Sequence, residues 1–238
     1  MEQSIKIEKI LAAEMGGVVH GRKENFLGLG LMYYTLSYVM KSNVNVCLGS
    51  GNGLIPALMR QAQLDLNLEQ SKTVLVDGNM PEKGWGHPSF VKEDGSIDSQ
   101  HYFIKNWDCE IILKSTKEAA KHFGEGEIDY LHIDADHSYQ GAKADFYRYI
   151  KFMKRNFVIT LHDSTIEYSV AKLVDELRDN SKYEVIEFSN PETRQQWEKH
   201  IKQEAKDRSN LQMDDFSEVP RQTWERFGNG TALIRPKW

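Results

Sequence analysis

Strand-like apolar runs alternate with helical periodicity through most of this chain, and that alternation leaves few folds open. Residues 43–48, 73–76, 110–113, 128–133 and 157–161 read as strands, and 183–188 and 231–234 supply two more. Between them, 54–62, 117–123, 141–153 and 170–177 carry apolar residues at helical spacing, as does 26–40 ahead of the first strand. In 26–40 the stripe is Leu29, Met32, Tyr33, Leu36, Val39 and Met40; in 141–153 it is Ala144, Phe146, Tyr149, Ile150 and Met153. Strands that alternate with helices form a mostly parallel sheet covered on both faces.

At 238 residues the chain is sized for one domain with appendages. We divide it into a helical lead-in or cap, 1–42, and a catalytic domain, 43–238, with irregular insertions at 78–107 and 190–229. Those insertions are long for loops, which makes them candidates for lids or binding segments. A net charge of −5 argues against a nucleic-acid backbone as the main partner. No apolar run is long enough to span a membrane, and the first ten residues lack the apolar core of a signal peptide. The two cysteines, Cys47 and Cys109, each sit in a strand-like run and read as reduced core residues. A soluble, cytoplasmic protein is the expectation.

Chemistry gathers where the apolar runs end. Tyr130-Leu-His-Ile stops at Asp134-Ala-Asp136-His137, and Phe157-Val-Ile-Thr-Leu stops at His162-Asp163-Ser164. Open α/β sheets build their sites at the carboxyl ends of the strands, so acids and imidazoles there point to acid/base or metal-assisted catalysis. His132, in mid-strand, reads as a satisfied core histidine. The first strand runs into Gly49-Ser50-Gly51-Asn52-Gly53, and the second ends in Asp77. Glycines let backbone approach a ligand closely, and a carboxylate at the next strand end can accept both hydroxyls of a ribose. A dinucleotide fingerprint wants a further glycine where Leu54 stands.

The Gly-x-Gly-x-Gly form resembles the first motif of class I S-adenosylmethionine-dependent methyltransferases. The stretch from Asp129 to Asp145 and on to Ser164 resembles their small-molecule and sugar O-methyltransferase branch, some members of which depend on a divalent cation. The resemblance covers about residues 40–180. It implies a Rossmann-like, seven-stranded, mostly parallel sheet flanked by helices, with the last strand antiparallel. Cofactor contacts then fall on Gly49, Ser50, Gly51, Gly53, Asp77, Ser115 and Asp134. Ser115 also suits a helix N-cap. A cation, Mg²⁺ first among the hard ions, falls to Asp134, Asp163 and Ser164, with His162 or Asp136 to complete the set. Asp136 and His137 compete for the role of general base. The chain departs from the family pattern twice. Cys47 stands where an acid is usual, with Glu14 and Glu24 as substitutes, and Ser164 stands where Asp or Asn is usual.

The expected activity is cation-assisted methyl transfer from S-adenosylmethionine to a hydroxyl of a small molecule, a sugar or a phenol. The partner is that acceptor, with no membrane or nucleic acid involved, and a homo-oligomer is compatible with this reading. Two rivals remain. One is a metal-dependent hydrolase built on Asp134, Asp136, His162 and Asp163. The other is a degenerate module that binds the cofactor without turning it over.

Overall fold

Parallel strands covered on both faces need apolar residues at nearly every position, and the central runs of this chain meet that demand. In the computed structural model, which describes residues 31–49, 53–78, 88–164, 168–188 and 230–237, they form one sheet. Its strands are β1 (Val44–Leu48), β2 (Lys72–Asp77), β3 (Glu110–Leu113), β4 (Ile128–Ile133), β5 (Met153–His162), β6 (Tyr183–Phe188) and β7 (Thr231–Pro236). The order across the sheet is β3-β2-β1-β4-β5-β7-β6. The first five strands pair in parallel, and β7 lies antiparallel between β5 and β6. The sheet therefore has seven strands with the last one antiparallel, as expected.

Helices α1 (Leu31–Met40) and α2 (Leu54–Asp65), the short α3 (Tyr102–Asn106) and α4 (Thr116–Ala119), α5 (Tyr139–Tyr149) and α6 (Tyr168–Asp179) join the strands. One face of the sheet packs Val46, Leu48, Leu131 and Ile133 against Phe146, Tyr149, Leu173 and Val174 of α5 and α6. The opposite face sets Cys47, Leu75 and Tyr130 against Tyr33, Leu58, Phe90, Phe103 and Trp107. Fully buried side chains such as Phe146 each contribute roughly 1.5–3 kcal/mol by leaving water. Cys47 and Cys109 are both free thiols. No described helix is long and apolar enough to cross a membrane.

Three expectations change. The helix expected over 141–153 starts earlier, because the Ser138 hydroxyl accepts the Gly141 N–H at 3.0 Å and caps it. It ends at Tyr149, passes through a 3₁₀ turn, Ile150–Phe152, and releases Met153 to pair with Ile128 as the start of β5. Its inward small residue is Ala142, while Ala144 is exposed. The helix expected over 117–123 is one α turn followed by a 3₁₀ turn, Ala120–His122, with Phe123 extended. On α1 the buried pair is Tyr33 and Ser37, and Val39 is 67% exposed. Ser37 takes that place because its hydroxyl bonds the Met59 carbonyl at 3.3 Å. Leu29 and the 190–229 insertion lie outside the described residues.

Strand order reverses between β1 and β4, since the chain works outward through β2 and β3 and then returns to place β4 on the other side of β1. Ligands of open α/β sheets bind in the crevice at such a switch. Gly49 follows β1 there, and Asp134 follows β4.

Candidate active site

Backbone hydrogen bonds stitch the switch point together. Gly49 N–H donates to the Val76 carbonyl and Asp134 N–H to the Leu48 carbonyl, both at 2.8 Å. Gly49 has φ +78°, and a Cβ there would stand 2.0 Å from the Asp134 carbonyl oxygen. Gly53, at φ +85°, would press a Cβ to 2.5 Å from the Phe103 ring. Only glycine fits either place, which holds Gly49 against the end of β4 and Gly53 against Phe103. Ser50 and Gly51, also expected at the cofactor, lie outside the described residues. So do Glu14 and Glu24. The Cys47 thiol, fully buried, donates to the Gly49 carbonyl at 3.0 Å. Burial pushes that thiol well above its ordinary pKa, with Asp134 and Asp77 adding to the effect. It stays a neutral prop of the loop.

Asp77 ends β2 in register with Leu113 and is half-buried. Ser115 caps α4. Its hydroxyl accepts the Glu118 N–H at 3.3 Å and donates to the Glu118 carboxylate at 2.7 Å. Its side chain is thus committed to capping the helix and to Glu118.

The ends of β4 and β5 bring four of the expected side chains into one cluster. His162 Nδ1 lies 3.2 Å from Asp134 Oδ1 and 3.1 Å from Asp163 Oδ1. His137 Nε2 lies 3.2 Å from Asp134 Oδ1 and 3.4 Å from Asp163 Oδ2. Asp163 and His162 are buried, whereas Asp134 and His137 each keep 23% of the side chain exposed and form the mouth. Asp163 holds φ +55°, an uncommon backbone state for a residue other than glycine. Such an outlier at a strand end points to a constrained site.

Burial by itself raises the pKa of Asp134, but the His162 charge and the imidazoles of His132, His137 and His162 around it hold it well below the carboxylate range. Burial likewise works against charge on His162, yet Asp134 and Asp163 outweigh it and raise that imidazole well above its ordinary value. Asp163 is lowered, mainly by His162 acting against burial. Both acids are carboxylates at neutral pH.

Asp136 stands apart from this cluster. Exposed, it accepts the Ser138 N–H at 2.9 Å and lies over Gly141, where a Cβ would meet its carboxyl carbon at 2.1 Å. His132 is only half satisfied. Its Nδ1 bonds the Thr160 hydroxyl at 2.9 Å, while Nε2 is buried without a hydrogen-bond partner, 3.9 Å from Asp134 Oδ2. Asp163 Oδ1 and the Ser164 hydroxyl are orphaned in the same way. Tyr33, expected chiefly as part of a helical stripe packed on the sheet, with a cleft-lining role as the alternative, belongs to this wall. It packs edge-on to His132 at 4.8 Å and bonds Thr231 through its hydroxyl at 3.0 Å, which ties α1 and β7 to the site. Only its apolar periodicity was visible in the sequence.

A family model described as a methyltransferase domain matches residues 46–164, half of the 238. No curated protein matches by sequence. Among solved structures, an O-methyltransferase from Bacillus cereus in complex with SAH is similar at 11% identity and a TM-score of 0.56, over 99% of this chain and 90% of that one. The O-methyltransferase TomG from Streptomyces achromogenes, in complex with SAM, aligns over 100% of this chain and 91% of its own at 8% identity and TM-score 0.54. The SAH-bound methyltransferase PaMTH1 from Podospora anserina aligns over 100% and 96% at 11% identity and TM-score 0.56. At these identities the likeness is one of fold.

Proposed function

Since the chain belongs to the methyltransferase-domain family, we propose that it transfers a methyl group from S-adenosylmethionine to a hydroxyl of a small molecule, a sugar or a phenol, at the ends of β4 and β5. One observation carries the reading. The glycine that follows β1 lies directly against Asp134, so a ligand cradled by that loop sits beside the acid–imidazole cluster.

The cofactor supplies an electrophilic methyl, so the protein's task is alignment and removal of one proton. Gly49 and Gly53 let the backbone pack directly on Asp134 and Phe103 beside the ligand, and Asp77 accepts ribose hydroxyls. His137 stands at the mouth of the cluster and takes the acceptor's proton through a ring nitrogen. Asp136, turned onto the start of α5, is left to organise that helix.

The Asp163 oxygen that lacks a hydrogen-bond partner, close to the Asp134 carboxylate, fits a divalent cation, and the buried Ser164 hydroxyl follows it in the chain. Bound there by Asp134, Asp163 and Ser164, the ion would lower the pKa of the acceptor hydroxyl. A hydrolase built on the same acids leaves Gly49, Gly53 and Asp77 without a task. The insertions at 78–107 and 190–229 would shape the acceptor pocket over the domain core, with residues 1–42 as its cap.

Methyl transfer from labelled S-adenosylmethionine to a panel of phenols and sugars, with and without divalent cation, tests the reading. Transfer to at least one hydroxyl acceptor is expected. Cofactor binding with no transfer to any acceptor would instead mark a degenerate module, and ester or phosphate cleavage without the cofactor would mark a hydrolase.

A further inference from the structure

The cation was expected on Asp134, Asp163 and Ser164, with His162 or Asp136 to complete the set, and in the structure the His162 nitrogen sits at the centre of the donors. His162 Nδ1 lies 3.2 Å from Asp134 Oδ1 and 3.1 Å from Asp163 Oδ1, and the ligand atoms of these three residues all fall within 4.8 Å of one another. Donors held at about 2.0–2.2 Å around one ion are themselves roughly 3 Å apart when adjacent, so an ion can take the place of the proton that His162 shares with the two acids. His162 is 6% exposed and is walled by the His132 ring at 6.0 Å. It closes β5 opposite Thr231 of β7, which limits its freedom to swing out of the shell. Independently, Asp163 is 2% exposed and its Oδ1 has no hydrogen-bond partner, although it faces this nitrogen. Ser164, next in the chain and fully buried, has an unpartnered hydroxyl.

We propose that His162 is a metal ligand, and that Asp134, His162 and Asp163 select a first-row transition ion such as Mn²⁺, Co²⁺ or Zn²⁺ over Mg²⁺. Mg²⁺ takes oxygen ligands in a strict octahedron and keeps its waters, whereas an imidazole nitrogen favours the later divalent ions. Two carboxylates with one imidazole form a mixed shell that Mn²⁺ accepts and that Mg²⁺ occupies poorly. The inference refines the cation in the function proposed above and rests on that reading only for what the ion does, not for whether it binds.

The test uses metal-stripped full-length protein titrated with Mn²⁺ and followed by electron paramagnetic resonance, with Mg²⁺ as competitor. Mn²⁺ is expected to bind with a nitrogen coupling in the echo-modulation spectrum, and Mg²⁺ to displace it only at about 100-fold excess or more. His162→Asp, which replaces nitrogen by oxygen, is expected to abolish that coupling and cut the Mn²⁺ preference about tenfold or more. His137→Ala is expected to keep the coupling. Equal competition by Mg²⁺, a missing nitrogen coupling in the wild type, or a coupling lost in His137→Ala and retained in His162→Asp would overturn the proposal. The wild-type spectrum decides even if His162→Asp does not fold. Calorimetry with S-adenosylmethionine on the same samples separates the two readings. Selective metal binding without cofactor binding contradicts the methyltransferase reading and leaves the metal assignment standing.

Discussion

Two buried polar clusters sit at opposite ends of the same parallel strands, and they are built in opposite ways. At the amino ends, Asn45 Nδ2 donates to Ser37, Gln63 Nε2 donates to the carbonyls of Ser42, Asn43 and Lys72, and Arg60 binds both oxygens of Asp108 and the Ser71 carbonyl. No side-chain atom of that network is orphaned among the described residues. At the carboxyl ends, His132 Nε2, Asp163 Oδ1 and Ser164 Oγ are buried and lack hydrogen-bond partners. Leaving such a group unmet costs about 1–3 kcal/mol, so the fold retains at one end what it eliminates at the other. A saturated polar network serves the scaffold. An unsaturated one is what the proposed metal site requires.

The contrast makes predictions that run in opposite directions. Asp163→Ala is expected to reduce turnover by about 10³-fold, because it removes stabilisation of the acceptor oxygen worth several kcal/mol. Its melting temperature should stay near that of the wild type, since loss of the ion pair to His162 is offset by removal of a buried oxygen that lacks a hydrogen-bond partner. A large loss of stability would erase the distinction between the clusters. His137→Ala is expected to lower kcat by about 10²–10³-fold in steady-state assays, with cofactor affinity intact.

Arg60→Leu inverts the pattern. Denaturant unfolding should show a loss of about 2–3 kcal/mol as Gln63 and Ser71 lose their donor, with metal and cofactor binding unchanged in the folded protein. Asp136→Ala sharpens the comparison within the carboxyl-end cluster itself. Turnover within about twofold of wild type and a stability loss of about 0.5–1 kcal/mol are expected if Asp136 only organises the turn into α5. A fall in turnover as deep as that of His137→Ala would hand the base role to Asp136.

The carboxyl-end cluster was readable because parallel strands buried on both faces appear as unbroken apolar runs, so an Asp or His at their end stands out. Asp134, His162 and Asp163 were visible for that reason, as was Asp77. The amino-end network was not. Ser37, Gln63 and Arg60 look like ordinary surface residues of amphipathic helices, and only tertiary packing buries them. Boundaries failed where a residue suits either neighbour. Met153 continues the apolar stripe of α5, yet it pairs with Ile128 in β5. The insertion of β7 between β5 and β6 carried no local signal, and only its antiparallel direction was anticipated, through resemblance. The separation of His137 from Asp136 was equally hidden, because two adjacent polar residues diverge only once the Ser138 cap directs the backbone into α5.

Calorimetric titration with S-adenosylmethionine tests the central claim most directly, applied to the wild type, Asp77→Ala and Asp163→Ala. The account predicts one site in the wild type, affinity weakened about 10- to 100-fold in Asp77→Ala through loss of charge-assisted hydrogen bonds, and affinity nearly unchanged in Asp163→Ala. Absence of binding in the wild type, or equal loss in both variants, would contradict it.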